Sequence, residues 1–271
     1  VEEHFFFTNR GEPIFAVMHH PGDYSRGGVV FCYPFAEERQ EAHRVLVNFA
    51  RILAENGFSV LRFDYRGTGD SHGEFGDYNL STRTEDVLRA VEILKERAGV
   101  EKVALFGLRL GATIALLAAR NLKHVELLIL WAPVLNLKTY LHQFLRGHLA
   151  MQMVTEKKIT VTREALINEL MQGNEVNVQG YHLSGEFYVD AIQIDPLKGL
   201  RSGEYPILIV DIEARGGTEP LLRKMVEDES AHRKSRYSMV NEEPFWLEKK
   251  YYIPDSEVFF RTTLDWMNSI T

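Results

Sequence analysis

Apolar positions along the chain fall into short continuous runs and longer runs with helical spacing. Residues 4–8 and 14–19 are brief β-rich stretches joined by Asn9-Arg10-Gly11-Glu12-Pro13, a turn composition that predicts a hairpin. Val29-Val30-Phe31-Cys32-Tyr33 is unbroken and apolar, as expected of a strand buried on both faces. Pro34-Phe35-Ala36-Glu37-Glu38-Arg39 then reads as a loop. The helix after it carries Val45, Phe49, Ile52 and Leu53 on one face and stops at Asn56-Gly57. Residues 58–63 form the next strand and run into the glycine-rich Asp64-Tyr65-Arg66-Gly67-Thr68-Gly69-Asp70-Ser71. Thr82-Arg83-Thr84-Glu85 has capping-box spacing, and Val87, Val91 and Leu94 stripe the following helix. From Val103 the chain reads as a further short apolar strand. It is followed by a Gly107-x-x-x-Gly111 turn and an apolar helix to Arg120, and residues 125–131 give another strand, stopped by Pro133.

Strands alternating with helices at this spacing predict a parallel sheet covered on both faces, with right-handed crossovers. The alternation breaks from residue 136 to about 203. Helix-like pieces at 137–154 and 162–172 are followed there by a strand-like, glycine-punctuated piece at 176–184. Inserts of this length after a sheet strand commonly cover the strand ends where ligands bind, so a lid is expected. The sheet pattern resumes at 206–210, with a helix from Pro220 and a strand at 237–240. A last helix near Pro254-Asp255 carries Val258, Phe259, Leu264, Trp266 and Met267. The expected organisation is a core of residues 1–135 and 204–271, with 136–203 as the lid.

Composition changes this picture little. The 271 residues are 45% hydrophobic and 25% charged, ordinary for a globular α/β domain. A net charge of -7 argues against nucleic acid or an anionic membrane surface as partner. Cys32 is the only cysteine, so an intramolecular disulfide is excluded, which suits a reducing cytoplasm. No apolar run reaches membrane-spanning length, and Val-Glu-Glu-His lacks the basic start of a signal peptide. No cofactor or metal motif stands out; a cytoplasmic protein that takes a small molecule is expected.

The chemistry centres on residues 103–113. A strand, a tight Gly-x-x-x-Gly turn and a helix resemble the nucleophile elbow of α/β-hydrolases. Asp64-x-Arg66-Gly67-x-Gly69-x-Ser71 is similar to the loop of their serine aminopeptidase, esterase and monoacylglycerol-lipase-like branch. Pro34-Phe35-Ala36-Glu37-Glu38 and Gly107-Leu108-Arg109-Leu110-Gly111-Ala112 resemble the exosortase A system-associated hydrolases. The resemblance covers nearly the whole chain. It implies an α/β-hydrolase fold with a mostly parallel eight-stranded sheet, helices on both faces and an inserted lid.

It also implies three catalytic positions, and all three are altered. Arg109 stands where the nucleophile should be, Arg215 where the acid should be, and Glu243 of Glu243-Pro244-Phe245-Trp246 where the base should be. A shifted alignment would offer Asp211 or Glu213 as the acid, but no histidine follows His232. Arginine stays protonated and cannot form an acyl-enzyme. Loss of a triad leaves only binding and oxyanion effects, roughly 10³ to 10⁴ over water. The expectation is therefore a non-catalytic binder of a small anionic or acyl-type ligand, or an interaction scaffold. The rival is a hydrolase or acyl transferase working through Cys32, His43 or the Asp211 and Glu213 carboxylates.

Each candidate has a plainer reading beside it. Arg109 at a helix N-terminus would clamp an anion, or would be held by Glu243 or Glu37 (Glu38 next) in an internal salt bridge that plugs the site. Phe35, Ala36, Glu37, Arg109 and Leu110 are the expected ligand contacts. Cys32 is an alternative nucleophile or a small core residue. His43 is a relocated base or a surface residue. His19 and His20 are half a metal pair or, pointing to opposite faces of a strand, unrelated. Asp64, Arg66 and Asp70 are a phosphate or metal loop, or ties within a turn. Tyr140, Phe144, Tyr181, Phe187 and Tyr188 line a pocket or pack the lid.

Overall fold

A computed structural model describes residues 1–22, 24–155, 157, 161–198, 205–212, 223–224, 234–247 and 256–270. The N-terminal strands β1 (Glu2–Asn9) and β2 (Glu12–His19) pair antiparallel through a tight turn. Arg10 and Gly11 take φ of 51° and 84°, the doubly left-handed geometry whose twist suits a two-residue hairpin. The next strands are β3 (Gly27–Cys32), β4 (Phe58–Phe63), β5 (Val103–Leu108) and β6 (Leu128–Trp131). Every residue of these four is buried, which explains why β3, β5 and β6 read as apolar runs rather than alternations; β4 buries Ser59 and Arg62 as well.

Helices α1 (Glu37–Glu55), α2 (Leu80–Ala98) and α3 (Leu110–Ala119) make the crossovers. The insert contributes α4 (Leu137–Thr155), α5 (Arg163–Met171), a hairpin of β7 (Val176–Val178) and β8 (Tyr181–Leu183), and α6 (Gly185–Gln193). Strands β9 (Ile207–Ile212) and β10 (Arg236–Val240) and helix α7 (Glu257–Ile270) follow. The main sheet has eight strands in the order β1-β2-β4-β3-β5-β6-β9-β10, parallel except for β1 and β2. The expected fold class is what forms.

Boundaries differ from expectation in a few places. Glu37 and Glu38 are the first turn of α1, not loop, where their carboxylates complement the helix dipole. The cap of α2 is Asn79, whose side chain accepts from the Thr82 amide at 3.0 Å; Thr82 to Glu85 already lie inside the helix. The strand-like piece at 176–184 is a hairpin, and α6 after it has no counterpart in the expected elements. Its cap is Ser184, accepting from the Phe187 amide at 3.2 Å. The helix expected from Pro220 lies outside the described residues. Phe49, Phe106, Trp131, Phe259 and Phe260 pack ring to ring between sheet and helices. That core holds the C-terminal ends of β3, β5 and β6 together, and the site is built on those ends.

Candidate functional site

The elbow forms as a strained turn. Arg109 is the N-cap of α3 with φ 55° and ψ -121°, a backbone conformation that costs a non-glycine residue about 1 to 3 kcal/mol. Its neighbours show why the turn is so tight. A Cβ on Gly107 would run into the Ala112 backbone, and one on Gly111 into the carbonyls of Cys32 and Tyr33. Backbone hydrogen bonds fix the turn from below: the Arg109 amide donates to the Trp131 carbonyl at 3.0 Å, and the Ala112 amide to the Arg109 carbonyl at 3.1 Å. Ala36, the N-cap of α1, has nearly the same geometry, φ 50° and ψ -129°. Two strained turns therefore stand on adjacent strands, β3 and β5.

The Arg109 side chain is spoken for. Its Nε donates to Glu38 Oε1 at 3.0 Å and its Nη1 to the Ala132 carbonyl at 3.2 Å. Glu38 Oε2 in turn accepts from the Tyr140 hydroxyl at 2.8 Å, which ties α4 of the insert to the core. The rings of Tyr140 and Trp246 each lie 5.6 Å from the guanidinium carbon. Burial disfavours the Arg109 cation, but Glu38 outweighs it and holds the proton more firmly than usual. Burial, then Glu38, push the Tyr140 hydroxyl well above the ordinary tyrosine range.

The partner is thus Glu38 and not Glu243 or Glu37. Glu243 is exposed on the loop before Phe245. Glu37, one residue earlier on α1, is turned toward the insert and accepts from Tyr181 at 3.2 Å. In a helix, adjacent residues point about 100° apart, so only one of the two acids faces the elbow. Arg215 and Glu213 lie outside the described residues.

Above this ion pair is a cavity of about 280 Å³, lined by Phe35, Glu37, Glu38, Arg109, Tyr140, Gln143, Phe144, Gly147, Gln179, Trp246 and Leu247. Of the expected contacts, Phe35, Glu37 and Arg109 line it; Leu110 and Ala36 are buried beside it without doing so. Glu38, Trp246, Gln143, Gly147, Gln179 and Leu247 were not foreseen as lining residues. For Gln143, the signal is its three-residue spacing from Tyr140 once the helix start is known.

Other candidates sit elsewhere. Cys32 is fully buried, and burial pushes its thiol up to about 12, so almost none is thiolate at neutral pH. His43 is exposed, and its charged neighbours are Arg62, Arg39 and Asp64 rather than Cys32. Asp211, at the end of β9, accepts from the Ile212 amide at 3.0 Å and is close enough to Arg109 to favour its charge. His19 accepts from Arg62 at 2.7 Å while His20 meets Glu3 at 3.0 Å, so the two diverge. Among the described residues, no group of three or more His, Cys, Asp or Glu is gathered as metal ligands. Asp64 pairs with Arg39 and accepts from the Asp70 amide at 3.1 Å; Arg66 meets Asp86 and Glu12, each at 2.7 Å. These contacts tie the glycine-rich loop to its surroundings. Tyr188 meets His142 at 2.9 Å, and Phe187 stacks on Phe35 at 5.0 Å.

The sheet order, the elbow after β5 and the insert after β6 define an α/β-hydrolase fold. Solved structures agree over nearly the whole chain. Est1E from Butyrivibrio proteoclasticus, with bound ferulic acid, superposes with a TM-score of 0.72 at 17% identity, covering 98% of both chains. A soluble variant of monoglyceride lipase from Saccharomyces cerevisiae, in complex with a substrate analogue, gives 0.65 at 15% identity, covering 100% of this chain and 96% of that one. The serine aminopeptidase S33 family matches residues 28–182, more than half the chain, and the chain belongs to that family. Curated relatives include human Protein ABHD12B, 35% identical over 113 residues that make up 40% of this chain and 30% of the relative. Lysophosphatidylserine lipase ABHD12 of Xenopus tropicalis is 32% identical over 114 residues, 41% of this chain and 28% of that protein. The matched segment thus spans less than a third of these relatives. Among the described residues, no helix is long and apolar enough to cross a membrane.

Proposed function

We propose that this chain is a ligand-binding member of its family that does not hydrolyse what it binds. The observation that carries the reading is the Arg109 guanidinium on the elbow, held by Glu38 and backed by Tyr140 and Trp246. Hydrolysis by this fold needs a nucleophile at that tip, and a guanidinium supplies none. Because Glu38 already neutralises Arg109, the elbow is a plug rather than an anion clamp. The cavity above it is walled by Phe35, Tyr140, Phe144, Trp246 and Leu247, which suits an acyl chain or a flat ring. Residues 136–203 act as its lid, since Tyr140, Gln143, Phe144, Gly147 and Gln179 come from that segment. A relative named as a lysophosphatidylserine lipase is in keeping with an acyl-bearing ligand, here bound and not cleaved.

The test is paired. Purified protein is expected to show no turnover of p-nitrophenyl butyrate or of a lysophospholipid above buffer, and no labelling by a fluorophosphonate. It is expected to bind a medium-chain alcohol saturably, read by the fluorescence of Trp246. Saturable turnover would overturn the non-hydrolytic reading; turnover lost in Cys32→Ala would install the thiol in its place.

A further inference from the structure

A second cation lies behind the pocket wall, and nothing in the elbow accounts for it. Arg83, in the first turn of α2, is buried, with 3% of its surface exposed. Its Nε and Nη2 hydrogen-bond to none of the described residues. Four rings surround its guanidinium carbon: Phe75 at 5.2 Å, Tyr65 at 5.5 Å, Phe35 at 5.7 Å and Phe187 at 5.9 Å. Such rings attract a cation but accept no hydrogen bonds in its plane, so the fork is left with idle donors.

Among the described residues, neither carboxylate beside Arg83 is free to fill it. Asp86, the nearest acid felt by Arg83, already accepts from Arg66 Nε and Asn9 Nδ2, each at 2.7 Å, and from the Arg66 amide at 3.1 Å. Asp64 is paired with Arg39, and Arg39 itself adds a like charge beside Arg83. The hydroxyl of Tyr65, lying against the Cys32 thiol, also makes no geometric hydrogen bond among the described residues. Burial lowers the Arg83 pKa to about 10, which still leaves it charged at neutral pH. A guanidinium with donors to spare therefore lies over the face of a phenol whose hydroxyl is turned to the Cys32 thiol, in surroundings where an unpaired cation is costly.

Phe35 belongs to both places. It lines the cavity above Arg109 and caps the Arg83 cage, packed against Phe75, Phe144 and Phe187 at 5.0, 5.5 and 5.0 Å. We infer that Arg83 and Tyr65 form a carboxylate-binding subsite reached from the cavity past Phe35, so that the ligand of this pocket is an acyl-chain acid. This rests on the binding role proposed above and gives it a substrate class. The chain of the acid lies among Tyr140, Phe144 and Trp246. Its carboxylate lies on the Arg83 fork, and Phe35 turns aside to let it through.

The experiment compares decanoate with decanol, both below micelle formation, by isothermal titration. The two share a tail and differ in the head group. Wild type is expected to bind decanoate at least about tenfold tighter than decanol, the usual worth of a charge-assisted bidentate contact. Arg83→Met is expected to remove that preference and leave decanol affinity unchanged, whereas Arg109→Met, which alters the cavity lining, is expected to change decanoate and decanol affinity alike. Equal binding of the two probes by wild type overturns the subsite but leaves the pocket standing. Loss of the preference in Arg109→Met with its retention in Arg83→Met overturns it too, assigning the anion to the elbow. Binding of neither probe overturns both subsite and pocket. If Arg83→Met does not fold, wild type alone decides by NMR of carboxyl-¹³C decanoate. A bound carboxyl pKa below that of the free acid supports the subsite, and an unchanged one sinks it.

Discussion

Replacing Arg109 with methionine removes the guanidinium while keeping much of the side chain's length and apolar bulk. Both partners of the ion pair have 14% of their side-chain surface exposed, so neither is held in bulk solvent. The hydrogen bond from Nε to Glu38 is charge-assisted, worth about 1.5 to 3 kcal/mol net. Stranding a buried carboxylate typically costs about 3 to 5 kcal/mol. Here Glu38 keeps its Tyr140 donor and borders a cavity, which discounts that figure to about 2 to 3 kcal/mol. For a chain of this size the melting temperature should fall by roughly 4 to 10 °C.

Glu38→Gln should cost about as much, because it strands the cation. A double-mutant cycle of the two should then show a coupling of about 1.5 to 3 kcal/mol by urea unfolding, the double variant being about as destabilised as either single variant. Inorganic phosphate at constant ionic strength should shift the melting temperatures of wild type and Arg109→Met alike, since Glu38 already neutralises the elbow guanidinium. A coupling below about 0.5 kcal/mol would mean a solvated surface pair. A saturable rise with phosphate that Arg109→Met abolishes would mean a clamp. Either outcome refutes the plug.

Three further outcomes are expected. Arg109→Ser should remain inactive on p-nitrophenyl butyrate, because the loop bearing Glu243-Pro244-Phe245-Trp246 offers no histidine base; a burst of product would show that another base is in reach. Cys32 should resist iodoacetamide in the native protein and react only in denaturing urea, which mass spectrometry reads directly; native labelling would contradict its burial. His19, whose pKa is pushed down to about 4 mainly by burial and then by Arg62, is neutral in the fold, while the unfolded chain takes up its proton near 6.5. Its contribution is therefore complete above pH 6.5 and is lost as pH falls toward 4, up to about 3 kcal/mol. Urea midpoints at pH 7 and pH 5 should fall more for wild type than for His19→Gln; parallel falls would place the acid sensitivity elsewhere.

The main sheet was legible because its central strands are buried on both faces, so that β3, β5 and β6 announce themselves as apolar runs, β4 alone being interrupted by Ser59 and Arg62. The elbow was legible from Gly107 and Gly111, since only a missing Cβ permits that approach. What failed was local phase. Whether Glu37 or Glu38 faces Arg109 depends on where α1 begins, and Ala36 caps it with no side-chain hydrogen bond to mark the start. Helix α6 was hidden because its nine residues follow directly on a hairpin, although Ser184 before Phe187 was a usable cap signal. Arg83 was passed over as part of a cap, for its four rings come from the loop after β3, the glycine-rich loop after β4, the turn at Phe75 and the insert. Such a meeting is set by tertiary structure and leaves no spacing to read.

The strained turn at Arg109 has a consequence for how this scaffold tolerates change. Its tension is conventionally associated with presenting a nucleophile, yet here it is borne by a residue that attacks nothing. What holds it is the contact of α3 with β3 through Gly111, together with the backbone bonds to Trp131 and Val134, none of which involves the side chain at the tip. The tip is thus a socket with its own mounting. A lineage can swap the fitting it carries, from attacking group to charged stopper, without rebuilding the wall behind it.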